Sequence, residues 1–92
     1  MREPLAEREV RQLVRGILAT GTVGFSGHAL EELSKDGLTT LDATNVLRGG
    51  VVDPGEWENG TWRYRLRTRK ATVVVAFRSE TRLVVVTAWR NR

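Results

Sequence analysis

"ENGTWRYRLRTRKATVVVAFRSETRLVVVTAWR", residues 58–90, is the stretch on which the fold turns. It is dense in Val, Thr and aromatic residues and broken by short polar connections, a texture of strands rather than helices. Asn59-Gly60 predicts a two-residue hairpin turn. "TRKA" at 68–71 and "SETR" at 79–82 are short enough to make antiparallel neighbours of the strands they join. With tight turns, Trp57 stands opposite Trp62, Leu66 opposite Val73, Tyr64 opposite Val75 and Phe77 opposite Val84, with Val86 and Ala88 on the same side. That apolar side is the expected core. Arg63, Arg65 and Arg67 fall on the other side, together with Thr72, Val74, Ala76, Val85, Thr87 and Trp89.

Working outward, the residues before Val51 change period. Pro4 suits a first helical turn, and Val10, Leu13, Val14, Ile17 and Leu18 recur at helical spacing, so residues 4–19 read as an amphipathic helix. Its outer face carries Glu7, Arg8, Arg11 and Arg15, most simply a solvated face. "TVGFS" is a short extended entry, with Val23 and Phe25 pointing the same way. Ser26 caps a second helix whose Leu30 and Leu33 are expected in the core and which Gly37 ends. Thr39 or Thr40 caps a third, with an apolar side of Leu41, Val46 and Leu47, closed by Gly49-Gly50. The expected architecture is α+β: one domain over 1–92, helices within about 4–48 packed on one face of an antiparallel meander over about 51–90.

Composition narrows the function classes. Ninety-two residues, 40% apolar and 28% charged, suit one small folded domain. There is no cysteine and a single histidine, His28, so neither a disulfide framework nor a thiolate metal site is expected, and no metal or cofactor is assigned. The charged N-terminus lacks the apolar run of a signal peptide, and no stretch approaches the roughly 20 apolar residues of a membrane span. A cytoplasmic location without membrane contact is the expectation. The net charge is +4, carried by thirteen Arg and only two Lys. Guanidinium forks bind phosphate bidentately and stack on bases, so a polyanionic partner is indicated.

The stripe Arg63, Arg65, Arg67 sharpens that indication, because Arg67, Thr72 and Trp89 fall in one row and Arg65, Val74 and Thr87 in the next. An indole among guanidiniums suits base stacking, with neighbouring arginines left for phosphates. Glu56, opposite Arg63, and nearby Glu58 offer the simpler alternative of surface ion pairs.

The order of parts, "FSGHALEELSKDGLTTLDATNVLRGG", then "WRYRLRT", a valine-rich strand and a closing "VVVTAWR", resembles the RelE/MqsR-like family of small bacterial toxins over residues 25–90. The resemblance implies helices on a small antiparallel sheet and, for many members, an endoribonuclease held inactive by a cognate antitoxin. Its matching positions are His28, Tyr64, Arg65, Thr87, Trp89 and Arg90, while Glu32 stands where relatives often have Arg.

Cleavage of RNA without metal requires a base, an acid, and positive charge where the phosphorane gathers electrons. The sequence offers His28 as the base and Arg65 to stabilise that charge, with Arg63, Arg67, Thr87, Trp89 and Arg90 binding RNA. A surface role for His28 and a core role for Tyr64 are the plainer readings of their positions. Three function classes follow: a metal-independent endoribonuclease toxin acting on mRNA, free or on the ribosome; a non-catalytic RNA-binding module; or a protein whose arginines grip an acidic, antitoxin-like partner.

Overall fold

Alternation along residues 61–67 sets the sheet: Tyr64 and Leu66 are 0% and 1% exposed, whereas Arg65 and Arg67 between and beyond them are open to solvent. The computed structural model describes residues 1–92 and runs α1 (Glu7–Thr20), β1 (Thr22–Phe25), α2 (Gly27–Lys35), α3 (Thr40–Gly49), β2 (Val51–Val52), β3 (Glu56–Glu58), β4 (Thr61–Arg67), β5 (Ala71–Ser79) and β6 (Arg82–Arg90). The strand order is β1-β6-β5-β4-β2, with β3 pairing to β4 beyond β2. The fold is α+β, with three helices and a six-stranded, mostly antiparallel sheet.

The hairpin turns form where the residues demand them. Asn59 and Gly60 both have positive φ, 49° and 81°, as a turn matching the right-handed strand twist requires. Glu58 therefore pairs with Thr61, Trp57 with Trp62 and Glu56 with Arg63, and the two indoles meet edge to face at 5.5 Å. Between Val52, paired with Leu66, and Glu56, paired with Arg63, the three residues Asp53, Pro54 and Gly55 stand opposite only Arg65 and Tyr64. The surplus residue bends the chain over the Tyr64 ring, and a Cβ on Gly55 would lie 2.7 Å from Tyr64 Cε1.

The expected register holds across β4 and β5, with Tyr64 opposite Val75 and Leu66 opposite Val73. It fails within β6. The partners step from Val74–Thr87 to Val75–Val85, leaving Val86 unpaired in a bulge, so Phe77 faces Leu83 and not Val84. Leu83, Val85 and Ala88 therefore point into the core, while Val84 and Val86 are half-buried outside it. Leu83 through Val86 are all apolar and fit either side, so the pattern carried no warning of the slip.

The meander is also completed by a strand from the helical half. β1 lies parallel to β6, Thr22 beside Arg82 through Phe25 beside Val85, and forms one edge of the sheet. Ser26 ends β1 and starts α2: its hydroxyl donates to the Val86 carbonyl at 2.8 Å and accepts from the Ala29 N–H at 3.0 Å. In α3 the cap is Thr39, and its hydroxyl and the Asp42 carboxylate satisfy each other's backbone N–H. The Thr39 N–H and then Lys70 hold the Asp42 carboxyl below its ordinary range.

Helix α1 begins three residues later than expected. Pro4 precedes it, Leu5 is tucked into the core at 8% exposure, and Ala6 occupies the N-cap, its N–H bonded to Glu9. Val10, Val14 and Ile17 of α1, Ala29 and Leu33 of α2, and Ala43, Val46 and Leu47 of α3 share one core with Tyr64, Leu66, Val73, Val75 and Val85. Leu30 and Leu41, expected inside, are 46% and 66% exposed. Ala29 and Ala43 take the buried sides, where a small side chain lets the helix approach closely. No helix is long and apolar enough to cross a membrane.

Candidate nucleic-acid interface

The side of the sheet turned away from the helices carries Arg63, Arg65 and Arg67 on β4, Thr72, Val74 and Ala76 on β5, and Thr87 and Trp89 on β6. Val74 and Ala76 stand outside the core shared with the helices, yet are only 7% and 2% exposed. The larger side chains on either side of β5 shield them. The rows run as expected: Arg67 beside Thr72 beside Trp89, and Arg65 beside Val74 beside Thr87. The Arg65 guanidinium spans diagonally from one row to the next and lies 5.6 Å from the centroid of the Trp89 ring, within cation–π range.

Each of the three stripe arginines also meets a carboxylate from the β2–β3 segment. Arg63 is 3.5 Å from Glu58, Arg65 3.4 Å from Glu56 and Arg67 3.0 Å from Asp53. The pairing with Glu58 and Glu56 was legible as nearby acids; Asp53 was missed. It lies 14 residues before Arg67 and reaches it only because the strand is interrupted directly after Val52. Bonding to Asp53 raises the pKa of the Arg67 guanidinium still further. The Arg65 and Arg67 side chains stay 49% and 52% exposed, so these pairs sit in solvent. Arg69, in the β4–β5 turn, has no carboxylate within salt-bridge distance.

At the end of the rows Asn91 ties the strands together. Its carbonyl accepts from the Thr72 hydroxyl at 2.8 Å, and its amide donates to the Thr68 carbonyl at 2.7 Å. That bond satisfies Thr72, the one buried polar residue, and fixes the backbone next to Trp89.

Three residues matched by the family resemblance stand elsewhere. His28 is exposed in the first turn of α2, which belongs to the helix layer and packs on β6. Arg65 projects from the opposite face of the sheet, two strands away, so the two are not brought together in one molecule. Arg90 closes the far end of α2: its Nε donates to the Asp36 carbonyl at 3.0 Å and its backbone N–H to the Asp36 carboxylate at 2.8 Å. It does not join the stripe.

Tyr64 is wholly buried. Its hydroxyl accepts from the Leu5 N–H at 3.0 Å and donates to Glu3 at 2.8 Å, fastening the segment before α1 to the sheet. Burial, with the Glu3 carboxylate adding and the Leu5 N–H opposing, pushes its pKa up to about 12. No group of three His, Cys, Asp or Glu side chains converges anywhere in the structure.

The arrangement provides flat guanidinium and indole surfaces, positive charge and shielded aliphatic side chains on one open sheet. It does not place a general base beside the arginines, apart from carboxylates already engaged with them. Comparison with protein-family models, with curated proteins and with solved structures returned no match, so the RelE/MqsR-like resemblance rests on the motifs alone.

Proposed function

We propose that this protein is directed at RNA and that RNA docks on the open face of the sheet, as a toxin of the RelE/MqsR-like kind would require. The observation that supports this reading most strongly is the Arg65 guanidinium over the Trp89 ring at 5.6 Å. Stacked together beside Arg63 and Arg67, the two make a platform for bases with cations at its edge for phosphates. The ion pairs of Arg67 with Asp53 and of Arg65 with Glu56 are no bar: exposed pairs contribute about 0–1 kcal/mol each, so a phosphate can displace them. Binding rather than cleavage is the activity this geometry favours, because His28 and Arg65 occupy opposite sides of the sheet.

A second reading is favoured by one specific observation, the carboxylate on every stripe arginine. A face that already accommodates three carboxylates from its own chain suits an acidic segment of a partner protein, such as an antitoxin. The two readings part in a single assay of single-stranded RNA binding by fluorescence anisotropy. Under the RNA reading, Trp89→Ala costs about 1–3 kcal/mol of affinity while the protein stays folded. Unchanged RNA affinity in that variant rejects the platform and leaves the acidic-partner reading. Incubating the same RNA in EDTA tests for metal-independent cleavage. Products with 2′,3′-cyclic phosphate ends would make the protein an endoribonuclease, and intact RNA a binding module.

A further inference from the structure

The helix side of the molecule holds a cleft that the RNA reading does not use. It lies between α1 and α3, has a volume of about 340 Å³, and is bounded by Arg11 and Arg15 on one helix and Arg48 on the other. Leu18, Ala19, Leu47 and Leu66 are its apolar lining. Leu47 and Leu66 are 4% and 1% exposed, so they form a floor fixed by packing, and the open apolar surface comes from the half-buried Leu18 and the exposed Ala19. Three arginines and no acidic residue are among the residues that line it. Arg11 is held at 3.5 Å by Glu7, one turn earlier on α1. Arg15 and Arg48 have no carboxylate within salt-bridge distance, unlike the stripe arginines on the open face.

Like charges on facing helices repel, and Arg11 and Arg15, four residues apart, also repel along α1. Such an arrangement is relieved by an anion. Guanidinium forks grip the oxygens of a phosphate bidentately, and Leu18 and Ala19 offer contact to a flat apolar group attached to it. The volume lies at the small end of small-molecule pockets and suits one mononucleotide-sized ligand rather than a strand.

We propose that the α1–α3 cleft binds a small phosphate monoester carried on a flat ring, of the class of a nucleoside 5′-monophosphate, with Arg15 and Arg48 holding the phosphate and Leu18 and Ala19 receiving the ring. The inference does not depend on RNA binding at the open face.

The test is a titration of the isotope-labelled full chain, followed by amide NMR, with adenosine 5′-monophosphate, adenosine and inorganic phosphate in parallel. The nucleotide is expected to give saturable shifts in α1 and α3 and none around Trp89. Adenosine and inorganic phosphate, each lacking half of the recognised chemistry, are expected to bind at least about tenfold more weakly. Arg15→Gln and Arg48→Gln are each expected to weaken the nucleotide by about tenfold. The variants' own spectra show that they are folded. The proposal is overturned if inorganic phosphate binds as well as the nucleotide, if the shifts centre on the open face, if either variant binds like the parent, or if no saturation appears by about 10 mM ligand.

Discussion

The two faces of β4 use one backbone for opposite purposes. On one, Tyr64 and Leu66 are sealed under the helices; on the other, Arg65 and Arg67 stand in solvent and Arg63 is mostly covered, each answered by an acid. Removal from water governs the first face, where a buried aliphatic side chain is worth about 1.5–3 kcal/mol. Reversible charge pairing governs the second, at about 0–1 kcal/mol per pair. Stability should therefore reside almost wholly on the closed face, and recognition on the open one.

The sharpest way to break that division is to substitute adjacent residues. Leu66→Ala should lower unfolding free energy by about 2–5 kcal/mol, whereas Arg65→Ala should change it by less than about 1 kcal/mol. Denaturant melts of the two variants decide the matter, and comparable losses would show that the arginine ladder is structural.

Gly55→Ala comes next. The new Cβ would press on a ring that packing cannot release, and a loss of about 1–3 kcal/mol is expected in the same melts.

Tyr64→Phe should cost about 1–3 kcal/mol by leaving the buried Leu5 N–H without its acceptor. Tyr64 is the chain's single tyrosine, so its ionisation can be followed directly by absorbance, with a midpoint expected near pH 12. Its folded pKa is raised above the unfolded value of about 10, so the stability it contributes is complete below pH 10 and is lost as pH climbs towards 12. In the phenylalanine variant that alkaline loss should be smaller.

The smallest effects belong to the open face. Arg65→Ala should flatten the salt dependence of RNA binding by about 0.7 in log-log slope, the share of one phosphate contact. Asp53→Asn should leave stability within about 1 kcal/mol of the parent, yet strengthen RNA binding at low salt by freeing Arg67. If Asp53→Asn weakens RNA binding instead, the carboxylate is a positioning element and the two faces are less separate than described.

How far the sequence anticipates this arrangement depends on whether neighbouring residues differ. Along 61–67 every inward residue is apolar and every outward one from Arg63 on is charged, so the faces of β4 and its pairing to β5 were legible without coordinates. Along 83–86 the residues are interchangeable, and the bulge at Val86 left no mark in the pattern. Helix sides were misjudged for a related reason. Leu30 and Leu41 outrank Ala29 and Ala43 in hydrophobicity, but close approach of a helix to the sheet selects for size as well. The rows containing Arg65, Thr87 and Trp89 were legible, because two register shifts, one between Phe77 and Ser79 and one between Val74 and Val75, cancel and return β6 to the pairing its turn sets. The separation of His28 from Arg65 was not, since nothing local says which layer a helix joins. Arg11 and Arg15 read as an ordinary solvated face because Arg48, more than thirty residues away, completes their cleft only through tertiary packing.

The place of β1 has a consequence for how the chain is made. β1 leaves the helical half early, yet its parallel neighbour is β6, and the Ser26 hydroxyl finds the Val86 carbonyl 60 residues further on. During synthesis the helices emerge first, but the surface they are to cover is incomplete until β6 has left the ribosome and inserted between β1 and β5. Contacts of such long sequence separation are slow to close. The nascent chain therefore carries uncovered helix faces until β6 has been made, and the core of this domain closes only then.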